Sequence, residues 1–177
     1  MAEKKVIDIG CGGGILSEAL TQRGAQVTGI DMGEAPLAVA ELHALDNQLT
    51  IEYKRITAEQ IALERPAQYD IVTCLEMLEH VPDPAAIVNA CANLCKPGGH
   101  LYFATINRNP KSYLFAIVGA EHILRLLPKG THDYEKLIKP SELHHWIRAS
   151  GLSLKAVSYT HLRAHETGRN LVCRILL

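Results

Sequence analysis

The chain has almost no net charge, no paired cysteine framework and no long apolar run, and each lack removes a class of function. Its 177 residues carry 18 Lys and Arg against 19 Asp and Glu, a formal net charge of −1. No global basic field therefore exists to recruit nucleic acid. Five cysteines, an odd number, stand scattered at positions 11, 74, 91, 95 and 173. Such a set reads as the reduced thiols of a cytosolic protein. Cys91 and Cys95 share a predicted helix face without a second ligand pair, so they read as small buried residues rather than metal ligands. No run approaches the ~18 apolar residues of a membrane span, and no leader pattern precedes the first strand, so the expected place is cytoplasmic. What is present, 47% hydrophobic and 21% charged residues, suits one globular domain with a sizeable core.

Hydrophobic periodicity predicts strands over 6–9, 26–30, 51–53 and 100–106, with another in "YDIVTC". Between them it predicts helices over 14–22, 35–45 and 58–63, and a helix opened by Pro84, where a missing N–H costs nothing. Ile15, Leu16, Ala19 and Leu20 are expected to face inward on the first helix, and Leu37, Ala40, Leu42 and Leu45 on the second. Strand–helix alternation at this spacing means right-handed βαβ units and a parallel sheet covered on both faces. Ligands of such sheets collect beyond the carboxyl ends of the strands, where strand order reverses. Gly10, Asp31, Glu59, Leu75 and Asn107 lie at or near those ends.

The stretch "VIDIGCGGGILSEAL" is a strand, a glycine loop and a helix start, built to lay a ligand against bare backbone. A dinucleotide loop needs a third glycine five residues after the first to seat a pyrophosphate. Counted from Gly10 that position is Ile15. Asp8 adds a carboxylate just before the loop, which suits an ammonium-bearing ligand better than a pyrophosphate. Asp31, closing the second strand, is placed to accept hydrogen bonds from two ribose hydroxyls. Gly10, Gly12 and Asp31 are thus candidate binding residues for an adenosine with a zwitterionic tail, S-adenosylmethionine.

"VIDIGCGGG", "GIDMG", "YDIVTCLEMLEHVPDP", "CKPGGHLYFATINRN" and "VGAEHILRLLPKGTHDYEKLIKPSEL" together resemble the ubiquinone-biosynthesis O-methyltransferase family over residues 4–157. The earlier motifs are shared by class I methyltransferases generally; the last two are narrower. The resemblance implies a Rossmann-like three-layer α/β sandwich with a mostly parallel sheet, incomplete here at its C-terminal edge. It also implies cofactor contacts at Gly10, Asp31 and Leu75. Family members often carry methionine where Leu75 stands, an apolar exchange of similar volume. The expected acceptor is a polyprenyl phenol, with other ubiquinone-biosynthesis enzymes as further partners. Another small-molecule methyltransferase, or an inactive fragment kept as a partner in a lipid-synthesis assembly, is the alternative.

In "EMLEH", a helical turn would put Glu76, Glu79 and His80 on one face. Two carboxylates and an imidazole make a plausible site for a hard divalent ion, and the resemblance implies magnesium at these positions. Such an ion would grip both oxygens of a catechol and acidify one. Alternatively the acids cap the turn, His80 bonds a backbone carbonyl, and His80 acts as the simple general base. Residues 108–133 form an insertion whose apolar run, 113–120, is flanked by basic residues. It fits an amphipathic helix pressed against an anionic membrane surface, which would make the protein peripheral at the inner face, or a lid over the site. The family continues before the first strand, with a cofactor-contacting arginine, and this chain is expected to lack that cover. From about Ser158 the sequence leaves the family pattern and resembles translated adapter read-through. The expected division is a methyltransferase domain over 1–157 and a non-native tail over 158–177.

Overall fold

The computed structural model describes residues 3–106, 137–159 and 170–176. The expected insertion 108–133 and the first part of the expected tail lie largely outside these residues. The described strands are β1 (Lys5–Ile9), β2 (Gln26–Asp31), β3 (Glu52–Arg55), β4 (Tyr69–Leu75), β5 (Cys95–Ile106), β6 (Ser153–Tyr159) and β7 (Asn170–Leu176). The helices are α1 (Ile15–Thr21), α2 (Glu34–Asp46), α3 (Ala58–Glu64), α4 (Pro84–Leu94) and α5 (Pro140–Ala149), with a 3-10 turn over Leu78–His80.

All seven strands join one sheet in the order β3-β2-β1-β4-β5-β7-β6. The first five pair in parallel, as the alternation requires. The chain builds outward from β1 to β3 and then returns to place β4 on β1's other side. That reversal puts the crevice between the ends of β1 and β4. The edge expected to be incomplete carries two further strands: β7 runs antiparallel to both β5 and β6. The apolar, β-branched composition of "NLVCRIL" suits that slot, and a strand wedged between two others is visible only in the assembled sheet.

β1 is buried on both faces from Val6 onward, as expected of a central parallel strand. The main core gathers Ile7, Ile30, Val72, Leu78, Leu101 and Phe103 with Ile61, Val88, Leu143 and Ile147 from α3, α4 and α5. Two helix faces differ from the periodicity reading. Ile15 is 82% exposed, because α1 turns Ser17 inward to donate from Oγ to Asp8 at 2.9 Å, and Ile15 stands about 200° around the helix. On α2 the inward residues are Leu37, Ala40 and Ala44, while Leu42 and Leu45 are exposed. The expected set spans too wide an arc for one face to bury. The strand read over 100–106 begins earlier, at Cys95, so that "KPGG" is absorbed into β5, which slips register against β4 between Tyr69 and Ile71.

An ion pair ties the edge strand β3 to the helix that follows it. Arg65, which caps the C-terminus of α3, donates from both Nη atoms to Glu52 at 2.7 Å, a bidentate geometry placed to favour the helix dipole. Those hydrogen bonds, aided by Thr28, hold the Glu52 carboxyl down at about 2 against desolvation. A carboxyl lowered on folding stabilises the protein above its ordinary pKa of 4.5, and that contribution fades as pH falls toward 2. The Glu52 side chain is 43% exposed, so screening limits the contribution to about 1 kcal/mol. Urea denaturation should therefore find Glu52→Gln less stable than the parent at pH 7, with the gap narrowing between pH 4.5 and pH 3. A gap that stays constant would assign the effect to packing.

Candidate active site

The glycine loop leaves β1 at Ile9 and is stitched to the neighbouring strand. The N–H groups of Gly10 and Cys11 both donate to the Ile30 carbonyl, at 2.9 and 3.0 Å. Gly10 needs its φ of +73°, and a Cβ there would stand 2.8 Å from Met77 Cγ. Only glycine allows that turn under Met77. Gly12, at φ +51°, has nothing within 4 Å of where a Cβ would sit, so its bare face is open to a ligand.

Asp31 closes β2 and is held from two sides. Gly12 N–H donates to Oδ2 at 2.9 Å, and Gly33 N–H donates to Oδ1 at 2.7 Å. Each carboxylate oxygen keeps a further lone pair, enough to accept from two vicinal hydroxyls. Asp31 and Gly10 line a pocket of about 480 Å³ at the reversal point. Ile30, Met32, Ile56, Val81 and Ile87 supply apolar walls, fit for a flat heteroaromatic ring. Thr57, which caps α3 in a capping box with Gln60, lines the same wall with Ala58 and Glu59.

Asp8 does not take the role the sequence suggested. It is 3% exposed, receiving Ser17 Oγ–H at 2.9 Å and Thr73 Oγ1–H at 2.7 Å. Burial raises its carboxyl, the two hydroxyls partly offset this, and the Asp31 charge raises it further. Asp8 therefore braces the loop from beneath, because the strand alternation that exposes the loop turns its side chain into the α1 interface.

The opposite wall comes from the turn after β4. Glu76 sits at φ +53°, its N–H donating to the Ala104 carbonyl at 2.9 Å. It lines the pocket with Met77 and His80, whereas Leu75 does not. Leu75 instead ends β4 in register with Ala104, half-buried.

The three residues expected to hold magnesium do not form a ligand set. Among the described residues no group of three metal-ligating side chains is gathered. The segment is a left-handed residue followed by a 3-10 turn rather than an α-helical turn; it brings Glu76 and Glu79 within hydrogen-bonding reach of each other without adding His80 as a third ligand. Glu79 is 4% exposed and accepts from Thr105 Oγ1 at 3.0 Å, while Glu76 and His80 face the pocket. The Glu76 carboxyl is pushed up to about 7 by desolvation, by the Glu79 charge and by a hydrogen bond with Glu79.

Met32, Ile56, Thr57, Ala58, Met77, Pro82, Asp83 and Ile87 line the pocket without having been singled out in the sequence. The signal that could have found them is position alone. They occupy the turns at the carboxyl ends of β2, β3 and β4 and the first turns of the helices that follow, α3 and α4, where the reversal must collect its ligand contacts.

A methyltransferase-domain family model matches residues 2–157. A curated ubiquinone biosynthesis O-methyltransferase from Stutzerimonas stutzeri is 65% identical over 168 residues, covering 93% of this chain and 72% of the relative. The chain belongs to that family. Relatives of the same name from Pseudomonas fluorescens and Pseudomonas aeruginosa are 62% and 63% identical over the same share of both chains. A Methanosarcina mazei S-adenosylmethionine-dependent methyltransferase has the same fold at TM-score 0.79 and 22% identity, covering 99% of this chain and 93% of that one. Magnesium protoporphyrin IX methyltransferase from Synechocystis, with bound S-adenosylmethionine, matches at TM-score 0.72 and 21% identity over 99% of this chain and 70% of its own. The fold and the enzyme class stand as the sequence predicted: an S-adenosylmethionine-dependent methyltransferase on a Rossmann-like sheet. Among the described residues no helix is long and apolar enough to cross a membrane.

Proposed function

We propose that this enzyme methylates a phenolic hydroxyl of polyprenyl catechols and related demethylated hydroquinones in ubiquinone biosynthesis. One observation carries the reading: Asp31 and His80 line a single apolar pocket from opposite walls. An adenosine anchored on Asp31 sends its sulfonium toward the wall that holds the base. The substrate class is supported by the names of relatives at 62–65% identity.

The chemistry is an in-line displacement. The phenolic oxygen forms a bond to the methyl carbon as the carbon–sulfur bond breaks, and the electron pair of that bond returns to sulfur. The phenolic proton passes to the His80 imidazole. Opposite charges disappear as the transition state forms, so apolar walls and alignment do most of the work. Glu76, raised to about 7, sits beside this path as a group that accepts or donates a hydrogen bond near neutral pH.

A polyprenyl tail keeps the acceptor in a bilayer, so the enzyme works at a membrane surface. The basic and apolar segment 108–133 is the proposed contact, peripheral at the inner face and strengthened by anionic lipid. Its neighbours there would be other enzymes acting on the same lipid. The test is transfer of labelled methyl to a polyprenyl catechol presented in vesicles. Transfer should appear, rise with anionic lipid content, and fall roughly a hundredfold or more in His80→Ala while S-adenosylmethionine still binds. Cofactor binding without transfer to any polyprenyl phenol would favour a different small-molecule acceptor. Rates indifferent to anionic lipid would remove the membrane contact.

A further inference from the structure

Arg55 is an exposed residue at the end of the edge strand, outside the pocket lining, yet it bonds the turn that shapes the cofactor side of the site. It stands in register with Asp31 across the β2–β3 pairing. Its Nε–H donates to the Met32 carbonyl at 3.1 Å, and Nη1 donates to Glu34 Oε2 at 3.0 Å. One planar fork thus holds the two residues that bracket Gly33. Gly33 in turn donates its N–H to Asp31 Oδ1 at 2.7 Å, and a Cβ there would meet Pro36 at 3.0 Å and Asp31 Oδ1 at 3.2 Å. That turn has no slack. If Met32 shifts, Gly33 shifts with it, and the Asp31 carboxylate rotates away from the Gly12 amide.

We infer that Arg55 is a positioning residue for cofactor binding, acting through the Met32 carbonyl and the Gly33 amide to orient the Asp31 carboxylate. The inference rests on the assignment of Asp31 as the ribose acceptor. An ordinary surface ion pair has no such reach: it adds a small increment to stability and leaves ligand affinity alone. The rigid donor fork of arginine makes the difference, because it spans a carbonyl and a carboxylate at once where a lysine ammonium must choose.

The test uses the full chain, four single variants and one double variant, with S-adenosylmethionine affinity measured by calorimetry and steady-state kinetics run against cofactor concentration. Arg55→Ala should raise Kd and KM for S-adenosylmethionine five- to tenfold, with kcat at saturating cofactor within twofold and the melting temperature little changed. Glu34→Gln breaks the ion pair but keeps the bond to Met32, so its Kd should stay within twofold. Arg55→Lys should recover part of the lost affinity. In the Asp31→Ala background, Arg55→Ala should add almost nothing, because the group it orients is gone. An unchanged Kd in Arg55→Ala beside a large loss in Asp31→Ala would overturn the inference alone. Equal losses in Arg55→Ala and Glu34→Gln would overturn it in favour of the ion pair. An unchanged Kd in Asp31→Ala would overturn the ribose assignment and the inference together.

Discussion

Asp31→Ala should weaken S-adenosylmethionine binding about a hundredfold. As the proposed ribose acceptor, the carboxylate would take two hydroxyl hydrogen bonds, each charge-assisted and each worth roughly 1.5 kcal/mol or more against water. Their loss sums to about 3 kcal/mol, or two decades in Kd. The same carboxylate fixes the Gly12 and Gly33 amides at 2.9 and 2.7 Å, so the variant also frees the loop it anchors. Asp31→Asn separates the two contributions. The amide oxygen still accepts from one backbone N–H, but the charge is gone, and the loss should fall between the parent and the alanine variant. Calorimetric titration of the three proteins checks the order, and an alanine variant with parental affinity would remove Asp31 from the site.

Gly14→Ala should cost about 2–4 kcal/mol of stability, against about 1 kcal/mol for Gly12→Ala. Both glycines have positive φ, +82° and +51°, and an L-residue there pays roughly 1–2 kcal/mol. Their surroundings differ. A Cβ on Gly14 would collide with the Tyr53 hydroxyl and stand 2.9 Å from Ala40 Cβ, while one on Gly12 meets nothing within 4 Å. Overpacking adds roughly 1–3 kcal/mol at the first position, so the melting temperature should fall by about 5–15 °C. The functional ranking is the reverse. Gly12 is a proposed cofactor contact with open space where a Cβ would sit, so Gly12→Ala should lose cofactor affinity while the fold barely notices. Thermal melts paired with cofactor titrations on both variants measure this crossing, and parallel effects in the two assays would refute it.

The cofactor half of the site was legible in the sequence because local rules determine it. Gly10 and Gly12 announce a left-handed loop, Ile15 at the third-glycine position argues against a pyrophosphate, and Asp31 ends a strand whose period is plain. The structure keeps Gly10, Gly12 and Asp31 together for that reason. The acceptor half was less legible. His80 and Glu76 line the pocket, while Glu79 lies buried beside Glu76 and accepts from Thr105 on β5, twenty-six residues away in sequence. Leu75 ends β4 immediately before the chain turns at Glu76, and a left-handed non-glycine residue carries no signal in composition.

Alternation of strands and helices, the order of the βαβ units and the place of the ligand crevice follow from the sequence by itself, since periodicity and turn chemistry act over a few residues. Tertiary structure alone decided which side chains those rules serve. Whether Ser17 or Ile15 faces inward depends on Asp8 waiting across the interface. Whether Leu42 is buried depends on how much of α2 the sheet can cover. The slot between β5 and β6 exists only once both strands stand in place, and β7 fills it by pairing with both. Such choices are made by contacts between residues far apart along the chain, whose energies have no counterpart in any short window of sequence.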